Sequence, residues 1–192
     1  MTRTWASALL SASLALGGLF VLLGVVGLAG CAGAPRRVAT APPLAPAQAA
    51  HIVLTAMAFL DTPYRHGGNG VGAGGAGGQG ADGFDCSGFT RHVYERSLGL
   101  ALPRAAWDQA RAPAFVEVGA ADLQPGDLIF FNTLQKAYSH VGIYVGQGRF
   151  IHAPRQGTSV RIEEMQGAAG RYWTQRFDGA RRAIVAVPVA VP

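Results

Sequence analysis

Cys86 is the residue of this chain best placed for nucleophilic chemistry. It lies in Asp85-Cys86-Ser87-Gly88-Phe89, between a glycine-rich stretch and a segment whose apolar spacing predicts a helix. A thiol at a helix N-terminus faces the positive end of the helix dipole, which favours the nucleophilic thiolate. Position alone leaves two interpretations open: a catalytic nucleophile and a small buried core residue.

Two histidines in the second half of the chain are candidates for the base that such a thiol requires. His140 opens one strand-like run and His152 closes the next, with a tight turn around Gln147 between them. Alternation along a strand places His140 and Tyr144 on the same face. The hairpin brings position 140 roughly opposite positions 152–154, so the histidines are expected as cross-strand neighbours. In that arrangement His140 is the base and His152 holds its orientation.

Other chemistries are less well supported by the sequence. His66 and His92 are competing candidates for the base, and both rank below His140. Two histidines and one cysteine fall short of the four ligands of a structural zinc site, so neither a metal nor another cofactor is expected. The glycine-rich stretch lacks the Gly-Lys-Ser/Thr ending of a phosphate-binding loop.

Cys31, the other of the chain's two cysteines, directly follows an uncharged apolar segment over residues 5–30, which itself comes after Arg3. This pattern predicts a secretory signal over residues 1–30. The sequence Leu28-Ala29-Gly30-Cys31 resembles the cleavage box of bacterial lipoproteins, in which the cysteine becomes lipidated. By the same analogy, Ala32 favours the outer membrane. The alternative is an uncleaved membrane-spanning helix, for which the segment is long enough.

The remaining composition fits one exported domain. Residues 31–47 are rich in alanine and proline and are predicted to form a tether, which leaves residues 48–192 as a single domain, expected to be a monomer. The net charge of +5 permits an anionic partner. Export makes nucleic acid an improbable one, so an envelope polymer or lipid surface is preferred, and charge that serves only solubility is an equal alternative.

The coarse pattern places helices before strands. Helices are predicted over 47–60, 87–98 and 104–110, and strands over 127–131, 140–145, 149–152, 159–163 and 183–187. Residues 67–80 are mostly glycine and are expected to form no regular structure. Helices followed by an antiparallel sheet predict an α+β fold.

Six short segments together resemble the NlpC/P60 cysteine peptidases; they are residues 62–68, 83–89, 102–104, 123–128, 140–144 and 150–153. The resemblance implies a papain-like fold, with helices packed on a mostly antiparallel sheet of about five to six strands. It also implies Cys86 as nucleophile, His140 as general base and His152 as the polar residue that orients the base. Tyr64 matches a tyrosine that helps to stabilise the oxyanion.

The same resemblance implies a substrate. Asp85 and Ser87 match positions that contact the peptide stem of peptidoglycan in some members, although capping of the helix is an equally good explanation of both. The expected protein is an endopeptidase anchored through Cys31 and facing the periplasm. It would cut the γ-D-glutamyl–diaminopimelate bond or a cross-link. The alternatives are a non-catalytic envelope protein that binds stems or a regulatory partner, and an amidase or acyltransferase on the same scaffold.

One feature departs from the family pattern. The loop that joins Tyr64 to Cys86 is much longer than usual, and the added residues are almost all glycine and alanine. Long flexible insertions add little closure entropy, so the fold is expected to tolerate this one. Whether Tyr64 still reaches the site depends on how the ends of the loop are held.

Overall fold

A computed structural model describes residues 44–70 and 83–185 of the chain. The predicted signal segment, the Cys31 anchor and nearly all of the tether lie outside these residues, and so does most of the glycine-rich insertion. No helix within the two described ranges is long and apolar enough to cross a membrane.

Four helices are described: α1 (Pro46–Met57), α2 (Cys86–Leu98), α3 (Ala106–Gln109) and α4 (Gly167–Thr174). The Asp85 carboxylate caps α2 at its start by accepting the Gly88 N–H, and Gly99 ends the helix in the left-handed conformation. α1 and α2 confirm two predicted helices. α3 begins two residues after Arg104, where the third helix was predicted to start.

The six strands of the main sheet are all antiparallel. They are β3 (Phe115–Val118), β4 (Leu128–Phe131), β5 (His140–Gly146), β6 (Arg149–His152), β7 (Arg161–Glu164) and β8 (Phe177–Ala183). Their order across the sheet is β3-β8-β4-β5-β6-β7. This arrangement confirms the α+β class and the expected number of strands, and β5 and β6 form the predicted hairpin.

The last strand was predicted too late in the chain. Residues 183–187 were expected to form it, but β8 runs from Phe177 to Ala183, residues 184 and 185 belong to no strand, and residues 186–187 lie outside the described ranges. Its sequence contains Asp178, Arg181 and Arg182, so it lacks the apolar alternation by which strands are recognised. β3 and α4 were not predicted either. The strand has only four residues, and α4 carries two glycines in eight positions.

The sheet is covered on both faces. One face packs against the helices α1 and α2 through residues that include Leu128, Phe130, Val141 and Ile143. The other face carries a smaller cluster that includes Ile129, Phe131, Phe150 and, from α4, Trp173. Alternate residues of β4 therefore belong to opposite cores, which is the period of two expected for a strand buried on both sides.

A two-stranded ladder closes the base of the glycine-rich insertion. β1 (Asn69–Gly70) pairs antiparallel with β2 (Gly83–Phe84), so the chain leaves and returns at one place. Part of the predicted irregular stretch is thus regular. The ladder packs closely on α2, since a Cβ at Gly88 would lie 2.0 Å from the Gly68 carbonyl oxygen. The inserted residues therefore do not lengthen the path between Tyr64 and Cys86 in space.

A buried ion pair joins β8 to the loop before β4. The Arg182 Nε and Nη2 atoms lie 2.8 Å and 2.7 Å from the two Asp127 carboxylate oxygens, and Nη2 also donates to the Asp122 carbonyl. Both side chains are almost completely buried. Asp127 accepts the Gln124 N–H as well, so the pair fixes the turn that leads into β4.

Candidate active site

Cys86 is the first residue of α2, and the surrounding polar groups hold this end of the helix. Asp85 Oδ1 accepts the Gly88 N–H at 2.7 Å and the Ser87 hydroxyl at 3.2 Å. Its other oxygen accepts the Gly67 N–H at 3.1 Å. Asp85 therefore acts as a helix cap, which is the structural alternative to a substrate-binding role, and it also ties the base of the insertion to α2.

Arg104 completes this cluster, although the sequence analysis gave it no role. Its Nη2 atom lies 2.5 Å from Asp85 Oδ2, and its Nη1 atom lies 2.9 Å from the Ser87 hydroxyl. Its side chain is still 37% exposed. The one feature of the sequence that pointed to Arg104 was the Leu102-Pro103-Arg104 segment. Its distance along the chain from Cys86 gave no indication that the two residues are neighbours. α3 and the turn before it supply this cation.

The structure brings Tyr64 to the nucleophile. Its backbone N–H donates to the Thr158 carbonyl, and a parallel bridge joins it to Phe84, two residues before Cys86. Partial burial raises the pKa of the Tyr64 hydroxyl, and the nearby Cys86 and Asp85 charges raise it further. The hydroxyl therefore stays protonated and can donate a hydrogen bond beside the thiol, as an oxyanion-stabilising group must.

The Cys86 thiol differs from the expectation drawn from the helix dipole. Burial, followed by the Asp85 carboxylate, raises its pKa from 9.0 to about 11. Three groups lower the pKa of the thiol, but by less than burial raises it. They are the backbone N–H groups of Val141 and Ser87 and the Arg104 guanidinium. The expected resting thiolate was wrong, because removing a charge from water outweighs the partial charge of a helix end. The Cys86 thiol therefore rests in its neutral form, and a base would be needed to convert it to a thiolate.

This difference gives a pH-dependent prediction. We expect alkylation of Cys86 by iodoacetamide to accelerate with rising pH up to a midpoint near pH 11, because only the thiolate reacts. Intact-mass spectrometry over pH 6–11.5 measures the rate. A Cys31→Ala chain confines the signal to Cys86. A midpoint below about 8.5, the value of a free thiol, would contradict the buried neutral thiol.

His140 and His152 form the predicted pair. The His140 Nε2 and His152 Nδ1 atoms are 2.7 Å apart, and their rings meet edge to face. The β5–β6 register pairs Ile143 with Ile151, so the histidines are diagonal neighbours rather than direct partners. Gly142 makes this contact possible, since a Cβ there would lie 3.2 Å from His152 Cβ and 2.9 Å from a Phe150 ring carbon.

Both histidines are held neutral by their surroundings. Burial sets the His140 pKa well below its ordinary value, and the neighbouring His152 lowers it further. Burial also lowers the pKa of His152, against the opposing effect of Glu163. A neutral imidazole at neutral pH is the form that can accept a proton, so His140 has the protonation state of a general base.

The start of β5 carries both His140 and a backbone group that lies beside the Cys86 thiol. The backbone N–H of Val141, the residue after His140, lies close enough to the Cys86 sulfur to lower the pKa of the thiol. Val141 belongs to the core beneath α2, whereas the His140 ring packs against Phe131 and Trp173 on the opposite face. Within the described ranges no hydrogen bond joins the thiol to the His140 ring. In a free enzyme such contacts are often long and tighten when substrate binds.

The competing residues lie elsewhere. His66 is exposed. The His92 ring packs between Phe59 and Phe84, at 5.0 Å and 5.2 Å between ring centres, which is a core environment. Among the residues for which the structure gives positions, no three His, Cys, Asp or Glu side chains are grouped so that they could hold a metal ion.

A cavity of about 360 Å³ opens beside His140. Its walls include Arg155, Arg161 and Glu163, together with Tyr172 and Trp173 from α4. His140 therefore borders this space, whereas His152 is completely buried and Cys86 is not among the residues that line the cavity.

Known proteins with a similar sequence show which family this chain belongs to. The family model described as "NlpC/P60 family" matches residues 61–182, which is most of the chain and contains Tyr64, Cys86, His140 and His152. The α+β fold, with a cysteine opening a helix and a histidine pair on the adjacent sheet, agrees with this match. The chain belongs to the NlpC/P60 family.

Individual relatives agree with this assignment. The chain is 33% identical to murein DD-endopeptidase MepH of Escherichia coli (strain K12), over 64% of this chain and 41% of that protein. It is 39% identical to γ-D-glutamyl-L-lysine dipeptidyl-peptidase of Bacillus subtilis (strain 168), over 58% of this chain and 34% of that protein. The crystal structure of an NlpC/P60 family protein from Bacillus cereus ATCC 10987 is 35% identical with a TM-score of 0.55, and the match covers 74% of this chain and 41% of that one. The chain thus spans less than half the length of these relatives.

Proposed function

We propose that this protein is a cell-wall endopeptidase that hydrolyses peptide bonds of peptidoglycan stems through Cys86, His140 and His152. The observation that carries the proposal is the 2.7 Å contact between His140 and His152, together with the Cys86 thiol against the backbone of Val141, the residue that follows His140. Membership of the NlpC/P60 family and relatives that include a murein endopeptidase support the substrate class.

The chemistry proceeds in two stages. Cys86 Sγ attacks the peptide carbonyl carbon while its proton passes to the free Nδ1 of His140, because His140 Nε2 is engaged by His152. The carbonyl oxygen becomes an oxyanion that the Tyr64 hydroxyl stabilises. The C–N bond then breaks, His140 returns the proton to the leaving amine, and an acyl-enzyme remains.

Water completes the cycle. His140 removes a proton from a water molecule, and the hydroxide adds to the thioester carbon. The C–S bond then breaks to release the acid, and His140 returns the proton to the Cys86 sulfur, which regenerates the thiol. Because the thiol is neutral at rest, the base is required in the first stage rather than only in the second. This requirement makes the geometry of the histidine pair central to the rate.

The polar cluster beside the thiol suits an anionic peptide. The Arg104 guanidinium forms an ion pair with Asp85 and donates to the Ser87 hydroxyl, but its side chain remains partly exposed. A γ-linked glutamate keeps a free α-carboxylate, and a guanidinium with a neighbouring hydroxyl is a suitable partner for it. A role in positioning the stem peptide therefore accompanies the capping role of Asp85.

A non-catalytic stem-binding protein is the alternative, and the absence of a thiol–imidazole hydrogen bond in the described structure favours it. Digestion of purified sacculi and of defined muropeptides separates the two functions. We expect new stem fragments whose masses identify the cut bond as γ-D-glutamyl–diaminopimelate or a cross-link. Sacculus binding without products supports the binding protein, and release of intact stems from the glycan identifies an amidase.

A further inference from the structure

Glu163, on β7, is the third side chain in a row of contacts that runs from His140 through His152. Its Oε1 atom lies 3.5 Å from His152 Nε2, the ring nitrogen that does not contact His140. This distance is long for a hydrogen bond but close for a charge beside a completely buried imidazole. The sequence analysis did not identify Glu163, because β7 lies beside β6 only in the folded sheet.

Three groups fix the Glu163 carboxylate. Arg161 Nε donates to Oε1 at 2.6 Å, the Trp173 indole N–H donates to Oε2, and His152 faces Oε1. The neighbouring His152 ring is the main cause that lowers the Glu163 pKa to about 2, against the effect of its burial. The group is therefore a carboxylate throughout the neutral range, and it can accept hydrogen bonds but not donate them.

Trp173 ties the same carboxylate to the histidine pair. Its ring stacks on His140 with centres 5.5 Å apart and meets His152 edge-on at 4.9 Å. The side chain is only 7% exposed, so it shields the contact between the two imidazoles from water. A single helix, α4, thus covers the pair and fixes the acceptor behind it.

A neutral histidine carries one ring proton, and its neighbours decide which nitrogen holds it. Beside a carboxylate that can only accept, the proton of His152 belongs on Nε2. His152 Nδ1 must then accept, so His140 has to donate from its own Nε2. The lone pair of His140 is consequently left on Nδ1.

We propose that Glu163 is a positioning residue that fixes the tautomers of both histidines, so that His140 presents an unprotonated Nδ1 as the base. The effect of Glu163 on the rate rests on the function proposed above. Its effect on the tautomers does not, because it follows from the buried chain of contacts alone. The two can therefore be tested separately.

Long-range ¹H–¹⁵N correlation spectra of the uniformly ¹⁵N-labelled full chain measure the tautomers directly. We expect wild-type His140 and His152 each to show a protonated Nε2 and an unprotonated Nδ1. In Glu163→Met, which removes the acceptor and nearly keeps the volume, both tautomers of each histidine should be populated. Glu163→Gln keeps one acceptor oxygen, so its tautomer populations should lie between those of the wild type and those of Glu163→Met. Glu164→Gln, an exposed change on the same strand, is the matched control.

Kinetics on a defined muropeptide supply the second measurement. We expect Glu163→Met to lower kcat by about 10- to 100-fold, within the 10²–10⁴-fold that a general base contributes, with little change in KM. A wild-type His140 protonated on Nδ1, or tautomers unchanged in Glu163→Met, would overturn the proposal. Loss of folded protein in Glu163→Met together with a wild-type spectrum and kcat in Glu163→Gln would show a merely structural role. If no muropeptide is cut, the proposed function fails while the spectra still decide the tautomers.

Discussion

Cys86→Ala is expected to abolish hydrolysis of muropeptides, with kcat reduced on the order of 10⁴- to 10⁶-fold. Alanine removes the only atom of this residue that can form the acyl-enzyme. Cys86→Ser keeps a hydroxyl in the same place and should be almost as inactive. A serine hydroxyl is much harder to deprotonate than a thiol, and the same N–H groups and the same imidazole base would have to activate it.

The measurement is the initial rate of fragment release from a defined muropeptide, followed by liquid chromatography and mass spectrometry. Cys31→Ala is the matched control, because it removes the other cysteine and should leave the rate in detergent unchanged. Sacculus binding by Cys86→Ala should be retained, since Asp85, Ser87 and Arg104 remain in place. Equal rates in Cys86→Ala and wild type would exclude covalent catalysis by this thiol.

Arg182→Met is expected to lower the free energy of unfolding by about 3–5 kcal/mol, the largest effect on stability that the fold predicts. The substitution leaves the Asp127 carboxylate buried without its guanidinium partner, and it also removes the donor to the Asp122 carbonyl. A buried carboxylate without its partner is unfavourable because the folded protein removes most of its hydration.

Urea unfolding followed by circular dichroism gives the free energy. Arg149→Met is the matched control, since Arg149 is exposed on β6 and should change stability by no more than about 0.5 kcal/mol. The double variant Arg182→Met/Asp127→Leu should recover part of the loss, because it leaves no unpaired buried charge. A loss below about 1 kcal/mol in Arg182→Met would show that Asp127 is rehydrated or protonated at little cost.

Much of the site could be predicted because its signals are local. Cys86 follows a capping residue and opens an apolar helix, and these features lie within a few residues of one another. The histidine hairpin is likewise encoded by a short turn between two alternating runs. Of the elements that were missed or misplaced, β8 and α4 lack such local patterns, whereas β3 was overlooked although Val116 and Val118 are typical of strands. The charged and glycine-containing segments of β8 and α4 become regular where partners lie beside them.

The sequence by itself determined the fold class, the family and the candidate site residues Cys86, His140 and His152, because each depends on residue types at short range. Tertiary structure decided the protonation of Cys86, where burial reverses the direction that the helix end alone favours. It also brought Arg104 to the thiol and placed Glu163 and Trp173 behind the histidine pair. Desolvation and contacts between distant strands arise only when separate surfaces pack together, so no local pattern encodes them.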